Sequence, residues 1–303
     1  VAESYFNLLQ FDDQLDIAKR TLHSWEESVR IAQARLKQGM TSRLDTDQFE
    51  AERANAAARA AELERQMVQA ENQLSVLLGR KPFAIPRGRL LNDQMVPPAV
   101  PAGLPSDLLQ RRPDLLDAEQ QLAAATARIG AAKAERFPKI SLTGLLGAAS
   151  PQLSKLFTDP ASFGVGGMGF AAPLLSGPVL GFQQEAIEAQ AKQALAQYEK
   201  TVLTAFREVE DSLVAVRTTR VQSEAQMQQV AALQSALKLA ELRYKGGLAN
   251  YLDVLVSRRN LFEAELALTG TRRLHVVSVV QLYKALGGGW SPEMDRKTEP
   301  RKG

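Results

Sequence analysis

The chain has 303 residues, of which 45% are hydrophobic and 23% charged, with a formal net charge of +3. This composition excludes a disordered chain, a collagen-like rod and a strongly basic nucleic-acid surface. Cysteine is absent and histidine occurs only at His23 and His275, which excludes disulfides, thiolate metal sites and Cys nucleophiles and leaves no histidine cluster. No run of eighteen apolar residues is present to cross a bilayer as a helix.

Taken in chain order, the first element is a long helix. Val1, Leu8, Phe11, Leu15, Ala18, Leu22, Trp25, Val29, Ala32 and Leu36 recur at alternating spacings of three and four, with Ser4 in one polar slot. That is a heptad stripe, and Gly39 ends it. Asp45 or Asp47 is placed to cap the next helix. This second helix carries Ala56, Ala60, Leu63, Met67, Ala70, Leu74 and Leu77 and stops at Gly79, with Pro82 beyond. Pro82 to Pro113 is proline-rich and aperiodic, a connector. Pro113 to Arg136 reads as a helix with proline in its first turn, and Pro138 breaks it.

Lys139 to Ala149 and Phe163 to Leu174 read as strands. On the first, Ile140, Leu142, Gly144, Leu146 and Ala148 share one face, and Ser141, Thr143, Leu145 and Gly147 the other. The length suits tilted β-structure crossing a bilayer, and it equally suits a soluble hairpin. Two strands cannot close a barrel, and open edges are not tolerated in lipid. If this hairpin enters a membrane, further copies must supply the other strands. From Gly181 to Gly246 no proline interrupts the pattern, which predicts a rod of roughly 100 Å that packs lengthwise against others.

The chain also matches itself at an offset of 208 positions. Arg35-Leu36-Lys37-Gln38-Gly39 aligns with Arg243-Tyr244-Lys245-Gly246-Gly247, Leu44-Asp45 with Leu252-Asp253, and Leu78-Gly79 with Leu286-Gly287. The register predicts a duplicated helical hairpin. It also predicts roughly 130 further residues upstream of Val1, the counterpart of 80–208.

Few motifs suggest chemistry. Gly164-Val165-Gly166-Gly167-Met168-Gly169 matches the dinucleotide fingerprint in letters, but Pro173 follows it where that motif opens a helix, so small residues in a strand are the better account. Acidic pairs such as Glu26-Glu27 fit solvated helix faces. The two repeated turns stand out. Each offers a glycine-centred corner followed by Leu-Asp, and Tyr244 lies beside one of them. In a tube of rods, those carboxylates would ring an opening and attract cations, with tyrosine and arginine as closing partners.

Several longer stretches carry a resemblance. They are Gly103-Leu104-Pro105-Ser106-Asp107-Leu108-Leu109-Gln110-Arg111-Arg112-Pro113-Asp114, Phe137-Pro138-Lys139-Ile140-Ser141-Leu142, Ala205-Phe206-Arg207-Glu208-Val209-Glu210-Asp211, and Leu282-Tyr283-Lys284-Ala285-Leu286-Gly287-Gly288-Gly289-Trp290. On these the chain resembles the TolC-like outer-membrane efflux proteins, in the lipoprotein branch serving resistance-nodulation-division pumps.

The resemblance implies a mainly α-helical fold with a membrane β-hairpin. It implies a homotrimer whose subunits give four strands each to a twelve-stranded outer-membrane barrel and long helices to a periplasmic α-barrel. Its partners would be a periplasmic adaptor, an inner-membrane pump and outer-membrane lipid, with no nucleic acid, no cofactor, no metal and no enzymatic activity. The implied function is efflux of drugs or other toxic small molecules across the outer membrane of a Gram-negative bacterium; a soluble coiled-coil scaffold is the alternative. The implied layout is a helical hairpin over 1–79, an equatorial connector over 80–113, an α-barrel helix over 114–138 and a hairpin over 139–175. Long helices over 176–287 and a C-terminal tail over 288–303 complete it. The gate would consist of Tyr244, Asp45, Asp253 and Arg43, with Tyr244 bonding Asp45. The tips Gly39, Met40, Thr41, Ser42, Gly247, Leu248, Ala249 and Asn250 would meet the adaptor. The chain departs from the family pattern at Val256, where relatives often carry a second gate aspartate, so a weaker cation-binding constriction is expected.

Overall fold

The computed structural model describes residues 1–94, 112–152, 154, 162–173, 177–248 and 251–288. Within these, α1 (Ala2–Lys37) and α2 (Arg43–Leu77) come first, followed by a single 3-10 turn at Leu91–Asp93 and α3 (Pro113–Ala134). The strands β1 (Lys139–Ala148) and β2 (Ser162–Ala171) come next, then α4 (Gly177–Lys245) and α5 (Tyr251–Ala285). The chain divides into two units. One is Val1–Gly103 with Arg207–Gly289, and the other is Leu104–Phe206 with Trp290–Gly303.

The first unit is built on the predicted stripes. Leu8, Leu15, Ala18, Trp25, Val29 and Ala32 of α1 are buried, and so are Ala56, Ala60, Leu63, Ala70 and Leu74 of α2. Leu15, Ala18, Ala60 and Leu63 form one cluster, and Leu8, Ala70, Leu74 and Ile85 another. Small alanines at the seam let the helices approach, and each fully buried leucine stabilises by about 1.5–3 kcal/mol. The ends of the stripes are not buried: Val1 and Leu77 face solvent. On the other pair, Val230 of α4 packs with Ala264 and Leu268 of α5.

Past α2, the chain runs back along the α1–α2 pair, held by an arginine. Arg87 takes both carboxylate oxygens of Asp12, at 2.8 and 3.1 Å, and also engages Glu71 and the Ile85 carbonyl. Glu71 in turn accepts from the Ile85 N–H at 2.9 Å. Burial alone would raise the Glu71 carboxyl, but these hydrogen bonds and the Arg87 charge hold it below the usual range.

The duplication is visible in the backbone. Among the described residues, the glycines with positive φ are Gly39, Gly79, Gly247 and Gly287, two pairs each 208 positions apart. Helix ends keep the same register: α1 and α4 stop at Lys37 and Lys245, and α2 and α5 span Arg43–Leu77 and Tyr251–Ala285.

In the second unit, Pro113 opens α3 at its first helical position, where a missing N–H costs nothing. Arg136 reaches Gln184 of α4 at 3.1 Å. The strands form an antiparallel pair whose register runs from Lys139↔Ala171 to Ala148↔Ser162. They lie where the alternation places them, ending earlier at Ala148 and Ala171; Leu174 lies outside the described residues. Every residue of both strands is exposed. Ile140, Leu142 and Leu146 share one face with Met168 and Phe170, while Ser141 and Thr143 lie on the other with Leu145, Phe163 and Val165. The glycine-rich fingerprint falls wholly inside β2, so no helix N-terminus follows it.

Candidate functional site

The residues singled out by sequence lie at the two helix–helix corners. Both corners close in the same way. Gly39, at φ 68°, donates to the Leu36 carbonyl, and Met40 donates to Arg35. Gly247, at φ 74°, donates to Tyr244, and Leu248 donates to Arg243. This double bond pattern satisfies the last carbonyls of the helix and needs a left-handed residue, which glycine adopts without strain. Met40 and Leu248 project outward, 73% and 76% exposed. Ala249 and Asn250 lie outside the described residues.

Neither aspartate is the cap of α2. Ser42 is: its hydroxyl accepts from the Asp45 N–H at 3.0 Å, and the Asp45 carboxylate accepts from the Ser42 N–H at 3.3 Å. A reciprocal box satisfies two orphan donors at once, which a lone Asp45 or Asp47 cap does not. Thr41 adds a third bond to Asp45 at 3.0 Å. Hydrogen bonding by Ser42, opposed by burial and reinforced by Thr41, holds the Asp45 carboxyl below its usual range. Arg43 is exposed, 3.8 Å from Asp47. Asp253 stands exposed in the first turn of α5, and Val256 is 38% exposed one turn further in.

Tyr244 occupies a different setting from Asp45. Its ring lies 5.8 Å from that of Tyr251, and the Arg35 guanidinium sits 5.5 Å over it. Among the described residues no hydrogen bond joins Tyr244 to Asp45 within the chain. Tyr251 is buried with its hydroxyl unpartnered, and burial pushes that hydroxyl well above its ordinary pKa.

The structure also brings together residues that sequence reasoning misses. Arg258 of α5 donates to the Ser28 hydroxyl at 2.9 Å and the Ser24 carbonyl at 3.3 Å on α1, and to Glu241 on α4 at 2.6 Å. Its guanidinium lies 4.6 Å from the Trp25 ring centre. The available signal is a mismatch between the repeat copies, because Arg258 falls where the first copy has Glu50. A cleft of about 370 Å³ opens here, lined by Ser28, Arg35, Glu241, Tyr244, Tyr251 and Arg258 among others. Among the described residues nothing at the corners suits covalent catalysis. Among the described residues no group of three or more His, Cys, Asp or Glu is placed to hold a metal. Exposed carboxylates at a corner do suit electrostatic attraction of cations once several chains are brought together.

Fold and site together define a class: a duplicated helical-hairpin protein with, among the described residues, one strand pair, solvent-exposed on both faces, that falls between helices in chain order. The chain belongs to the outer membrane efflux protein family, whose profile, described as "Outer membrane efflux protein", matches residues 1–80 and 104–288. Among its relatives is the probable efflux pump outer membrane protein TtgC of Pseudomonas putida, 38% identical over 297 residues, with 96% of this chain covering 60% of TtgC. The cation efflux system protein CusC of Escherichia coli is 36% identical over 300 residues, with 96% of this chain covering 63% of that protein. A crystal structure of CusC superposes with a TM-score of 0.86 at 33% identity, over 95% of this chain and 67% of that one. The open-state Neisseria gonorrhoeae MtrE outer membrane channel gives 0.84 at 32% identity, over 95% and 65%. The chain thus spans about 60% of the length of the curated relatives it matches.

Proposed function

We propose that this chain is the greater part of a channel subunit in the outer membrane of a Gram-negative bacterium, passing small toxic molecules outward for a tripartite pump. The observation that carries the reading is the β1–β2 hairpin. Its ten-residue strands are exposed on both faces, and one face is a row of Ile140, Leu142, Leu146, Met168 and Phe170. A strand pair with open edges and apolar side chains in the open needs a partner for both, and in lipid further strands must close it into a barrel. Three subunits closing one barrel, with α1, α2, α4 and α5 lining a periplasmic tube, satisfy that demand. The partners in this reading are a periplasmic adaptor at the two glycine corners and an inner-membrane pump. The transport involves no covalent chemistry.

The tube closes at the corners. Asp253 and Arg43 are exposed there and Asp45 is half-buried, and Tyr244 holds the closed state through its hydroxyl, toward Asp45 brought near in the assembled ring. The first test is fractionation of cells expressing the gene product that contains this chain, then the mass of the detergent-solubilised species. A trimer in the outer membrane is expected, and a product soluble without detergent would overturn the reading in favour of a coiled-coil scaffold. The gate is tested by Tyr244→Phe combined with Asp45→Ala. Single-channel conductance in planar bilayers should rise, and unchanged conductance would sink the gate assignment.

A further inference from the structure

We propose that the Lys139–Ala171 end of the β1–β2 hairpin is a binding site for the phosphate headgroup of an anionic glycerophospholipid, held by Lys133, Arg136 and Lys139. The inference rests on the channel reading above, because it needs the hairpin to stand in a bilayer. Strands of this length cross the hydrocarbon core when tilted, and β1 begins at Lys139, paired with Ala171 of β2. The residues that lead into this end therefore lie at headgroup depth. Both helices also depart from it: α3 stops at Ala134 shortly before β1, and α4 starts at Gly177 shortly after β2. In the channel reading those helices stand in the periplasm. The leaflet met here is then the periplasmic one, built of glycerophospholipid.

Charge agrees with that placement. After α3 the chain makes one more tight turn, in which the Arg136 N–H donates to the Lys133 carbonyl at 3.2 Å and the Phe137 N–H to that of Ala134 at 3.1 Å. A cleft of about 410 Å³ opens there, lined by Lys133, Arg136, Phe137 and Gln184 of α4. The Gln184 amide donates to Glu188 at 2.8 Å, which leaves its oxygen to accept from the Arg136 side chain at 3.1 Å. That bond leaves most N–H donors of the guanidinium unused. Among the described residues no carboxylate pairs with Lys133, Arg136 or Lys139. The neighbouring acids do not cancel them: Glu135 and Glu185 are exposed, and Glu188 is taken by Gln184. The first turn of α4 holds no acid, and a helix N-terminus favours an anion. Such a cluster suits a phosphodiester, which the arginine fork takes through two oxygens.

The apolar side chains decide between a lipid and free phosphate. Phe137 and Phe182 are 67% and 70% exposed beside these cations. Rings at a bilayer boundary sit among headgroups and the first part of the acyl chains, while lysine and arginine reach outward to the phosphates. Inorganic phosphate would engage the cations and leave the rings in water; a phospholipid covers both.

The test uses the trimer of the complete gene product, delipidated in detergent and offered palmitoyl-oleoyl phosphatidylglycerol or the phosphatidylcholine with the same chains. Native mass spectrometry counts the lipid retained. The parent should retain on the order of tenfold more phosphatidylglycerol at equal concentration, because each basic residue near the surface adds to the attraction of anionic lipid. Lys133→Gln combined with Arg136→Gln should bring the ratio close to one at unchanged trimer mass. Arg136→Lys, which keeps the charge and loses the fork, should fall between. Phe137→Ala should weaken retention of both lipids and keep the ratio. Millimolar inorganic phosphate should leave phosphatidylglycerol in place; full displacement would mark a phosphate site and overturn the lipid assignment. A parent without preference, or a double variant that keeps it, would also overturn the proposal while the outer-membrane trimer still stands. A gene product soluble without detergent would sink the channel reading first and this inference with it.

Discussion

Ser42 shows how much one small side chain settles at the corner. It satisfies the start of α2 and also orients Asp45. Ser42→Ala should cost about 1 kcal/mol of stability, measurable as a lowered thermal midpoint. Asp45 carries a pH dependence of known sign. Its folded pKa lies below the ordinary carboxylate value, so its contribution is complete above about pH 3.9 and is lost as pH falls through the lowered value. A second residue acts nearer neutrality. The Thr219 hydroxyl donates to the Ala215 carbonyl at 2.6 Å, so its oxygen accepts from Nδ1–H of His275 at 3.0 Å. Burial, then the Arg220 charge, holds His275 below its ordinary 6.5. The α4–α5 contact is therefore at full strength above about pH 6.5 and weakens as pH falls through the lowered value. His275→Gln keeps a donor for Thr219 and cannot charge. Thermal midpoints followed down from neutral pH should fall less steeply in this variant than in the parent.

Among the elements, helices and strands differ in what the sequence discloses. The α1 and α2 stripes are legible because a heptad pattern must be buried somewhere, and Leu15, Trp25, Leu63 and Leu74 are. The cap of α2 is not legible, since Ser42, Asp45 and Asp47 all suit a helix start and only geometry shows the reciprocal pair. Arg258 is hidden for a similar reason: a single arginine on a long polar helix reads as solvated until Glu241 and Trp25 are brought to it. The hairpin is legible by alternation, but its surroundings are not. Its two faces nonetheless predict different outcomes in a barrel. Leu142, 84% exposed on the face that lacks Ser141 and Thr143, would meet lipid, where an arginine near the midplane costs about 2–4 kcal/mol. Leu142→Arg should deplete the assembled protein from the outer membrane, whereas Thr143→Arg on the opposite face should assemble and alter conductance. Equal depletion by both would argue against a barrel.

Across the whole molecule, duplication makes two corners from one design and then lets them diverge. Both keep the glycine turn and an aspartate at the same register, Asp45 and Asp253, but the second copy adds Tyr244, Tyr251 and Arg258. The aspartate kept in the second copy bears on cation block of the assembled tube. Asp253 and Val256 are three residues apart on α5, hence neighbours on one helix face, and both are solvent-accessible. In the proposed trimeric tube, one ring of carboxylates from Asp253 would attract a multivalent cation, and a second ring one turn deeper would bind it from two levels. Val256→Asp should therefore lower the concentration of a trivalent cation needed for half-block of conductance. A gain on the order of tenfold, equivalent to about 1.4 kcal/mol, is expected. Asp253→Asn should raise that concentration, and the two changes together should fall between the single variants. If Val256→Asp leaves the block unchanged while Asp253→Asn abolishes it, position 256 faces away from the pore and the constriction is a single ring.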